Sequence, residues 1–142
     1  LEAARSRPFL GICIGLQMLF DRSEEGDVPG LGVLRGQVRR FPAAAMREAD
    51  GRLLKVPHMG WNGVQQRPHA LWHDIPEGSR FYFVHSYFVE PPEAALTTAT
   101  SEYGVRFTCA VARDNIFAVQ FHPEKSQAEG LRLLSNFVHW NP

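Results

Sequence analysis

Residues 8–20 read PFLGICIGLQMLF, and this stretch decides the fold. Its first part, 8–12, is a short apolar run after a basic turn, which predicts a buried strand. Leu16, Leu19 and Phe20 then recur at helical spacing, so we expect a helix to follow the strand directly. A strand that turns straight into a helix is typical of α/β domains.

The rest of the chain consists mainly of predicted strands and loops. Apolar and β-branched runs predict strands at 31–41, 53–56, 81–84, 94–100, 107–112 and 116–121. Loops are predicted at 21–30 and 42–51, and an irregular segment around Gly60, Gly63 and Pro68. Arg113-Asp114-Asn115 predicts the turn of a hairpin between the last two strands.

A second helix is predicted near the end of the sequence. Ser126-Gln127-Ala128-Glu129 fits a capping box. Leu131, Leu134 and Val138 lie at i, i+3 and i+7, on one face of that helix. The order strand, helix, several strands, helix predicts an α/β domain whose central sheet carries an added β-rich portion.

The composition excludes several classes of protein. The 142 residues suffice for one compact domain, and 44% of them are hydrophobic, as in an ordinary packed core. Lys plus Arg equal Asp plus Glu at 15 each, which leaves no electrostatic footprint for nucleic acid, and no apolar stretch approaches a membrane span. Two cysteines form no disulfide framework, and six histidines lack the spacing of metal ligands. We therefore expect free thiols, a reducing cytoplasmic location, and neither metal nor cofactor.

Cys13 is flanked by Gly11 and Gly15 at the point where the predicted strand meets the predicted helix. This is the pattern of a nucleophile elbow, in which a strained turn presents the reactive side chain and glycines leave room where a Cβ would collide. The helix N-terminus would lower the pKa of the thiol, and the N–H of Ile14 would point at a developing oxyanion. The alternative is a buried, unreactive cysteine, which is the preferred interpretation for Cys109 within its strand run.

His122 and Glu124, in the run Phe-His-Pro-Glu at 121–124, would supply the proton acceptor and orienting group that a cysteine nucleophile needs. His122 lies at the carboxyl end of a predicted strand, where α/β sheets gather their sites. In an extended segment the side chains at i and i+2 share one side, so the carboxylate would orient one ring nitrogen and the other would face the thiol. An ordinary His-Pro turn with a solvated glutamate is the alternative.

Four segments together resemble a known family. The runs 11–17, GICIGLQ, and 121–124, FHPE, are similar to the signature pair of class I, triad-type glutamine amidotransferases. The runs 56–62, VPHMGWN, 81–87, FYFVHSY, and 120–126, QFHPEKS, resemble segments of the glutaminase subunits of imidazole glycerol phosphate synthases. The resemblance covers essentially the whole chain and implies a flavodoxin-like sheet flanked by helices.

The resemblance also implies a reaction. Cys13 would attack the side-chain amide of glutamine, His122 would carry the thiol proton to the leaving ammonia, and Glu124 would hold His122. The substrate glutamine would be held by Ile14, Gln17, Ser86 and Tyr87. The ammonia would pass to a (β/α)₈-barrel cyclase subunit that makes imidazole glycerol phosphate and aminoimidazole carboxamide ribotide in histidine biosynthesis.

A surface for that partner is implied as well. Trp61, Tyr82 and Lys125 correspond to interface residues of the family. Core packing is the alternative for Trp61 and Tyr82, and an exposed Trp61 would favour the interface. His58 is expected to be structural and not catalytic.

Two further expectations concern the extent of the domain and the acceptor of the ammonia. Members of this family have a β-α-β portion before the elbow strand, and its glycine-rich loop supplies one oxyanion donor. Residues 1–142 are therefore expected to be the C-terminal two thirds of a glutamine amidotransferase type 1 domain without its first strands, and a poor glutaminase alone. Alternative functions are the glutaminase component of an anthranilate or aminodeoxychorismate synthase, and an inactive assembly module. The run Pro-His-Met-Gly-Trp-Asn favours the histidine pathway.

Overall fold

The computed structural model describes residues 7–142, which contain eleven strands and two α-helices. The strands are β1 (Phe9–Ile12), β2 (Arg22–Ser23), β3 (Val28–Pro29), β4 (Gln37–Arg40), β5 (His58–Gly63), β6 (Gln65–Gln66), β7 (Arg80–His85), β8 (Tyr87–Glu90), β9 (Thr97–Tyr103), β10 (Val105–Arg113) and β11 (Ile116–Val119). The helices are α1 (Ile14–Gln17) and α2 (Gln127–Val138), and short 3-10 turns join several of these elements.

Most of these strands form one mixed sheet, in which the order is β1-β11-β10-β8-β4-β2-β3 and β9 pairs with β10 and β6. β1 runs parallel to β11 and β2 parallel to β4, whereas β10 and β11 form the predicted antiparallel hairpin. β5 and β7 form a separate antiparallel pair, from His58 opposite His85 to Gly63 opposite Arg80. The predicted α/β domain with an added β-rich portion is confirmed.

β11 lies between β1 and β10 and separates two hydrophobic clusters. Ile116 and Ala118 belong to one cluster and Phe117 and Val119 to the other, because successive side chains of a strand point to opposite faces. α1 packs on the Ile116 side and α2 on the Phe117 side. Because both faces are covered, this strand is a continuous apolar run without polar alternation.

Several predicted strand boundaries are wrong where the pairing depends on distant residues. β4 is shorter than the predicted strand 31–41, and 94–96 form a 3-10 turn before β9. Within 53–56, only Leu53 makes a β-bridge, whereas the segment around Gly60 that was predicted to be irregular is β5. Each residue of β5 has a partner on β7, and this non-local pairing produces no periodic pattern in a run with two glycines.

The helix termini differ from the prediction. α1 begins at Ile14, as expected, but ends after one turn at Gln17. The predicted capping box at Ser126 is wrong, because its hydroxyl donates to the His122 carbonyl and accepts from the Tyr82 N–H. These two contacts leave no side-chain cap on α2 and tie the start of that helix to β7.

α2 buries a different face from the predicted one. Leu131 and Val138 are 64% and 77% exposed, whereas Gly130 and Leu133 are buried. A Cβ at Gly130 would collide with the Pro123 carbonyl. The helix therefore packs through its glycine side, which allows the close approach.

Candidate active site

Cys13 occupies the turn between β1 and α1. Its φ of 54° and ψ of −105° are rare for a residue with a side chain, so the predicted strained turn is present. Its N–H donates to the Val119 carbonyl at 2.8 Å, and its own carbonyl accepts from the N–H groups of Leu16 and Gln17. The nucleophile candidate is therefore fixed to the sheet on one side and to the helix on the other.

The two glycines of the elbow have different roles. A Cβ at Gly11 would lie 2.9 Å from the Gly15 carbonyl oxygen and 3.1 Å from Cβ of Ala118. For Gly15, in contrast, the described chain places no non-neighbouring atom within 4 Å of a Cβ. The steric argument is thus right for Gly11 and wrong for Gly15, which contributes only the backbone that Gly11 approaches.

The Cys13 thiol is partly buried among polar groups. Its S–H donates to the Val84 carbonyl at 3.8 Å, and Nε2 of Gln120 donates to the sulfur at 3.7 Å. Burial raises the pKa of the thiol, the Ile14 N–H and the Gln120 amide lower it in part, and the charge of Glu124 raises it further. The expected lowering of the pKa is therefore wrong in sign, because a helix of one turn has a small dipole and burial outweighs it.

His122 follows β11 and is anchored by its N–H, which donates to the Tyr82 carbonyl at 2.9 Å. Its Nδ1 lies 3.0 Å from Oε2 of Glu124, so the carboxylate accepts the Nδ1–H and leaves Nε2 as the basic nitrogen. Pro123–Lys125 is a 3-10 turn and not the extended segment assumed, yet the contact forms. Nε2 is buried and has no hydrogen-bond partner within residues 7–142.

β7 contacts both the Cys13 thiol and the backbone of His122 along one edge. The Val84 carbonyl contacts the thiol of Cys13, and the Tyr82 carbonyl accepts from His122. These carbonyls are two residues apart in one strand and point the same way. Gln120, which contacts the sulfur, precedes His122 by two residues. Cys13 and the backbone of His122 therefore contact the same edge of β7, and Glu124 contacts the His122 ring.

A cavity of about 230 Å³ opens beside the thiol. Its lining includes Cys13 and all four residues predicted to hold the substrate, which are Ile14, Gln17, Ser86 and Tyr87. Nε2 of Gln17 donates to the Tyr87 carbonyl at 3.3 Å and to Oε1 of Gln120 at 3.2 Å. Both N–H bonds of this amide are engaged, so only its oxygen is left for a ligand.

Two charged residues of the cavity, Glu25 and Arg40, were not predicted from the sequence. Glu25 lies in the 3-10 turn between β2 and β3, and Arg40 ends β4. The Arg40 guanidinium lies 5.8 Å from the centre of the Tyr87 ring, within cation–π range. No local pattern distinguishes these two residues, because the sheet brings them to the cavity from separate segments.

His58 and His85 form a buried pair beside the cavity. Nδ1 of His58 lies 3.0 Å from Nε2 of His85, and Nδ1–H of His85 donates to the Tyr87 carbonyl at 2.8 Å. The His58 ring is stacked on those of Phe83 and Tyr103. Burial lowers the pKa of His58 to about 3 and that of His85 to about 4, so both rings are neutral at pH 7. These contacts agree with the structural role expected for His58.

The predicted interface residues lie on and beside the β5–β7 pair. Trp61 and Tyr82 are cross-strand partners with ring centres 6.0 Å apart. Trp61 is 39% exposed, which argues against core packing for this residue, whereas Tyr82 is half-buried. Met59, on the same side of β5 as Trp61, is 63% exposed. Lys125 is exposed at the end of the turn that carries Glu124.

The segment 7–142 contains no group of three or more His, Cys, Asp or Glu placed to hold a metal ion. None of its helices has the length and apolar character needed to cross a bilayer.

The sequence is similar to curated relatives named imidazole glycerol phosphate synthase subunit HisH. It is 67% identical over 142 residues to the one from Dechloromonas aromatica, an alignment that covers 100% of this chain and 66% of the relative. It is 56% identical over 143 residues to the one from Nitrosomonas europaea, with 100% and 68% covered. The chain thus spans about two thirds of the length of these relatives.

Solved structures share the fold. A glutamine amidotransferase from Thermotoga maritima superimposes with a TM-score of 0.61 at 23% identity, over 97% of this chain and 50% of that one. A further glutamine amidotransferase structure gives a TM-score of 0.62 at 19% identity, over 97% of this chain and 64% of that one. The family profile "Glutamine amidotransferase class-I" matches residues 1–140. The resemblance that the sequence motifs carry is confirmed, and the chain belongs to the class-I glutamine amidotransferase family.

Proposed function

We propose that this chain is the glutaminase subunit of an imidazole glycerol phosphate synthase, with residues 1–142 acting within a glutamine amidotransferase type 1 domain. The observation that carries the proposal is the buried Nε2 of His122, which has no partner in the described chain while Glu124 holds Nδ1. An unpaired buried polar atom costs about 1–3 kcal/mol. A proton arriving from the Cys13 thiol, on the same edge of β7, explains why that nitrogen is kept open.

The reaction proceeds through a thioester. His122 Nε2 takes the thiol proton of Cys13 as the sulfur attacks the side-chain carbonyl carbon of glutamine. The Ile14 N–H donates to the oxyanion, the imidazolium gives its proton to the departing nitrogen, and the carbon–nitrogen bond breaks to release ammonia. Water, deprotonated by His122, then attacks the thioester and yields glutamate and the free thiol. Burial raises the pKa of the resting thiol, so the Cys13 thiolate forms only when His122 takes its proton.

The cavity suits one amino acid with both α-groups charged. Its lining offers one cation, Arg40, for an α-carboxylate and one anion, Glu25, for an α-ammonium. Gln17, through its free oxygen, and the residues Ser86 and Tyr87 complete the polar lining. These groups select glutamine by charge at one end while Cys13 meets its amide at the other.

The ammonia passes to a (β/α)₈-barrel cyclase subunit that makes imidazole glycerol phosphate and aminoimidazole carboxamide ribotide in histidine biosynthesis. The name of the relatives, at 56% and 67% identity, supports this partner. So does the exposed Trp61, which with Tyr82 and Lys125 would contact it. The reaction takes place in the cytoplasm, where both thiols stay reduced.

Glutamate release from glutamine, measured with the cyclase subunit present, tests the triad. We expect Cys13→Ala and His122→Asn to lower turnover at least about 10³-fold, because they remove the nucleophile and the base, and Glu124→Gln to lower it less. Cys109→Ala is the matched control and keeps its turnover, because that thiol does not line the cavity.

Persistent turnover in Cys13→Ala would reject the triad. If an anthranilate or aminodeoxychorismate synthase partner supports turnover and the cyclase does not, the acceptor is wrong and the triad stands.

A further inference from the structure

Gln120 is a fully buried polar residue that the reaction described above does not use. Its backbone N–H donates to the Cys109 carbonyl at 2.8 Å, which places it between β11 and His122. Its side chain contacts two residues. Nε2 of Gln120 lies 3.7 Å from the Cys13 sulfur, and Oε1 of Gln120 lies 3.2 Å from Nε2 of Gln17. A buried amide is costly unless both ends are hydrogen-bonded, so these two contacts hold it in place.

The Tyr87 carbonyl determines which way Gln120 faces. A carbonyl oxygen only accepts hydrogen bonds, so Gln17 must turn its Nε2 towards it, at 3.3 Å. The same Nε2 contacts Gln120, which must therefore present its oxygen to Gln17 and its NH₂ group to the sulfur. His85 Nδ1–H donates to the same carbonyl, which occupies its second lone pair. The donors are thereby locked in one direction.

The surroundings of the sulfur change when Cys13 loses its proton. The Val84 carbonyl accepts from the neutral S–H and has nothing to accept from a thiolate, so it disfavours the anion. The Gln120 amide donates in both states, and hydrogen bonds to a charged acceptor are the stronger ones.

We propose that Gln120 is a further catalytic residue, whose side-chain N–H stabilises the Cys13 thiolate while His122 holds the proton. Gln17 and Tyr87 are positioning residues that keep the amide turned towards the sulfur. The reaction itself rests on the proposed function, but the contact can be tested without glutamine.

Alkylation by iodoacetamide reports the thiolate, because the anion forms the sulfur–carbon bond and iodide leaves. The rate at Cys13 is measured against pH in the full chain and assigned by mass spectrometry. Cys109 is an internal reference that stays unmodified, because it is fully buried. Gln120→Met removes the donor at similar volume, and Gln120→Glu keeps an acceptor for Gln17 but turns an oxygen to the sulfur.

We expect the midpoint of Cys13 alkylation to rise by about one pH unit in Gln120→Met and by more in Gln120→Glu. Gln65→Glu makes the same change at an exposed position of β6, and we expect its Cys13 alkylation midpoint to equal that of the unmodified chain. Unchanged midpoints in both Gln120 variants would overturn the proposal, because a residue that only fills space alters stability and not the titration.

The unmodified chain gives a second measurement if the variants do not fold. In NMR spectra, the chemical shift of the Gln120 side-chain amide should change with pH at the same midpoint as Cys13 alkylation. A chemical shift that stays constant with pH overturns the proposal. Shifted midpoints in a chain that hydrolyses no glutamine, even with the cyclase, would support the Gln120 contact and reject the proposed function.

Discussion

Gly11 is the residue on which the elbow turn depends most. Here β1 approaches the Gly15 carbonyl and Ala118 so closely that a methyl group has no room. Two residues later, Cys13 has a φ of 54°, a conformation that persists only where the surroundings enforce it. The close approach at Gly11 and the strain at Cys13 are parts of one arrangement.

Replacing Gly11 by Ala should lower the free energy of unfolding by about 1–3 kcal/mol, because the new methyl group overpacks the crossing of β1 and α1. Gly15→Ala is the matched control, two residues on the other side of Cys13. It should leave stability unchanged or raise it by up to about 1 kcal/mol, because alanine favours the helix and has space. Urea denaturation of both variants measures the difference, and equal destabilisation would contradict the assignment.

Some candidate site residues can be recognised in the sequence, and others cannot. Cys13, His122 and Glu124 stand in short runs whose residue types and spacing carry their own chemical meaning. Gln120 stands in the same run as His122, but its contact with Cys13 spans 107 positions, and only the folded sheet reveals it. The side-chain contact of Glu124 with His122 was predicted correctly from an incorrect backbone, because a 3-10 turn also allows i, i+2 contact.

At the scale of elements, the β5–β7 pair contains the two buried histidines, His58 and His85. In the unfolded chain their pKa is the ordinary 6.5, and in the folded chain burial lowers it to about 3 and about 4. Between these values the unfolded chain binds protons that the folded chain does not, so acid favours unfolding. This stabilisation is complete above pH 6.5 and is lost progressively as the pH falls towards 4 and then 3.

The free energy of unfolding should therefore fall by roughly 3 kcal/mol per pH unit below 6.5, about 1.4 from each histidine. Urea denaturation at a series of pH values measures this slope. The variant His58→Gln should take up about one proton fewer on unfolding, so its slope should be shallower by about 1.4 kcal/mol per pH unit. The variant His139→Gln, which changes an exposed ring, should keep the slope of the unmodified chain. A slope near zero between pH 6.5 and 5 would show that the pair is not neutral and buried.

Hydrophobic periodicity does not predict which face of α2 is buried. In α2, residues 130, 133 and 137 recur at the same spacing as the more apolar 131, 134 and 138, so the sequence cannot tell the two faces apart by period. The packed face is decided by Gly130, which admits the Pro123 carbonyl. Strands β1, β7, β10 and β11 were predicted well because each is an apolar or β-branched run of its own.

At the scale of the whole molecule, β5 presents an exposed apolar surface. Met59 and Trp61 point from the same side of this strand and are 63% and 39% exposed. The formal net charge is zero, so the net charge of the chain selects no partner by its sign. If this surface binds a partner, we expect contact with these apolar and aromatic side chains to supply most of the binding energy.

Trp61→Ala should weaken binding of the cyclase subunit by at least about 10-fold, because a large aromatic contact is lost from the interface. The stability of the isolated chain should change little, since the side chain is substantially exposed. Titration calorimetry measures the affinity, and Leu53→Ala, at a 70% exposed apolar position outside β5, is the control. Equal affinities of Trp61→Ala and the unmodified chain would remove β5 from the interface.

The backbone of Tyr82 has a mechanical consequence. Its N–H donates to the Ser126 hydroxyl, and its carbonyl accepts from the His122 N–H. These two hydrogen bonds attach both ends of the segment 122–126 to β7. No flexible side chain of Tyr82 intervenes between the strand and His122. We therefore expect a displacement of the β5–β7 pair to move His122 as well, and misplacement by ~1 Å at a reacting group costs about 10²-fold in rate. A partner that binds to the β5–β7 pair would thereby change the position of the His122 ring relative to Cys13.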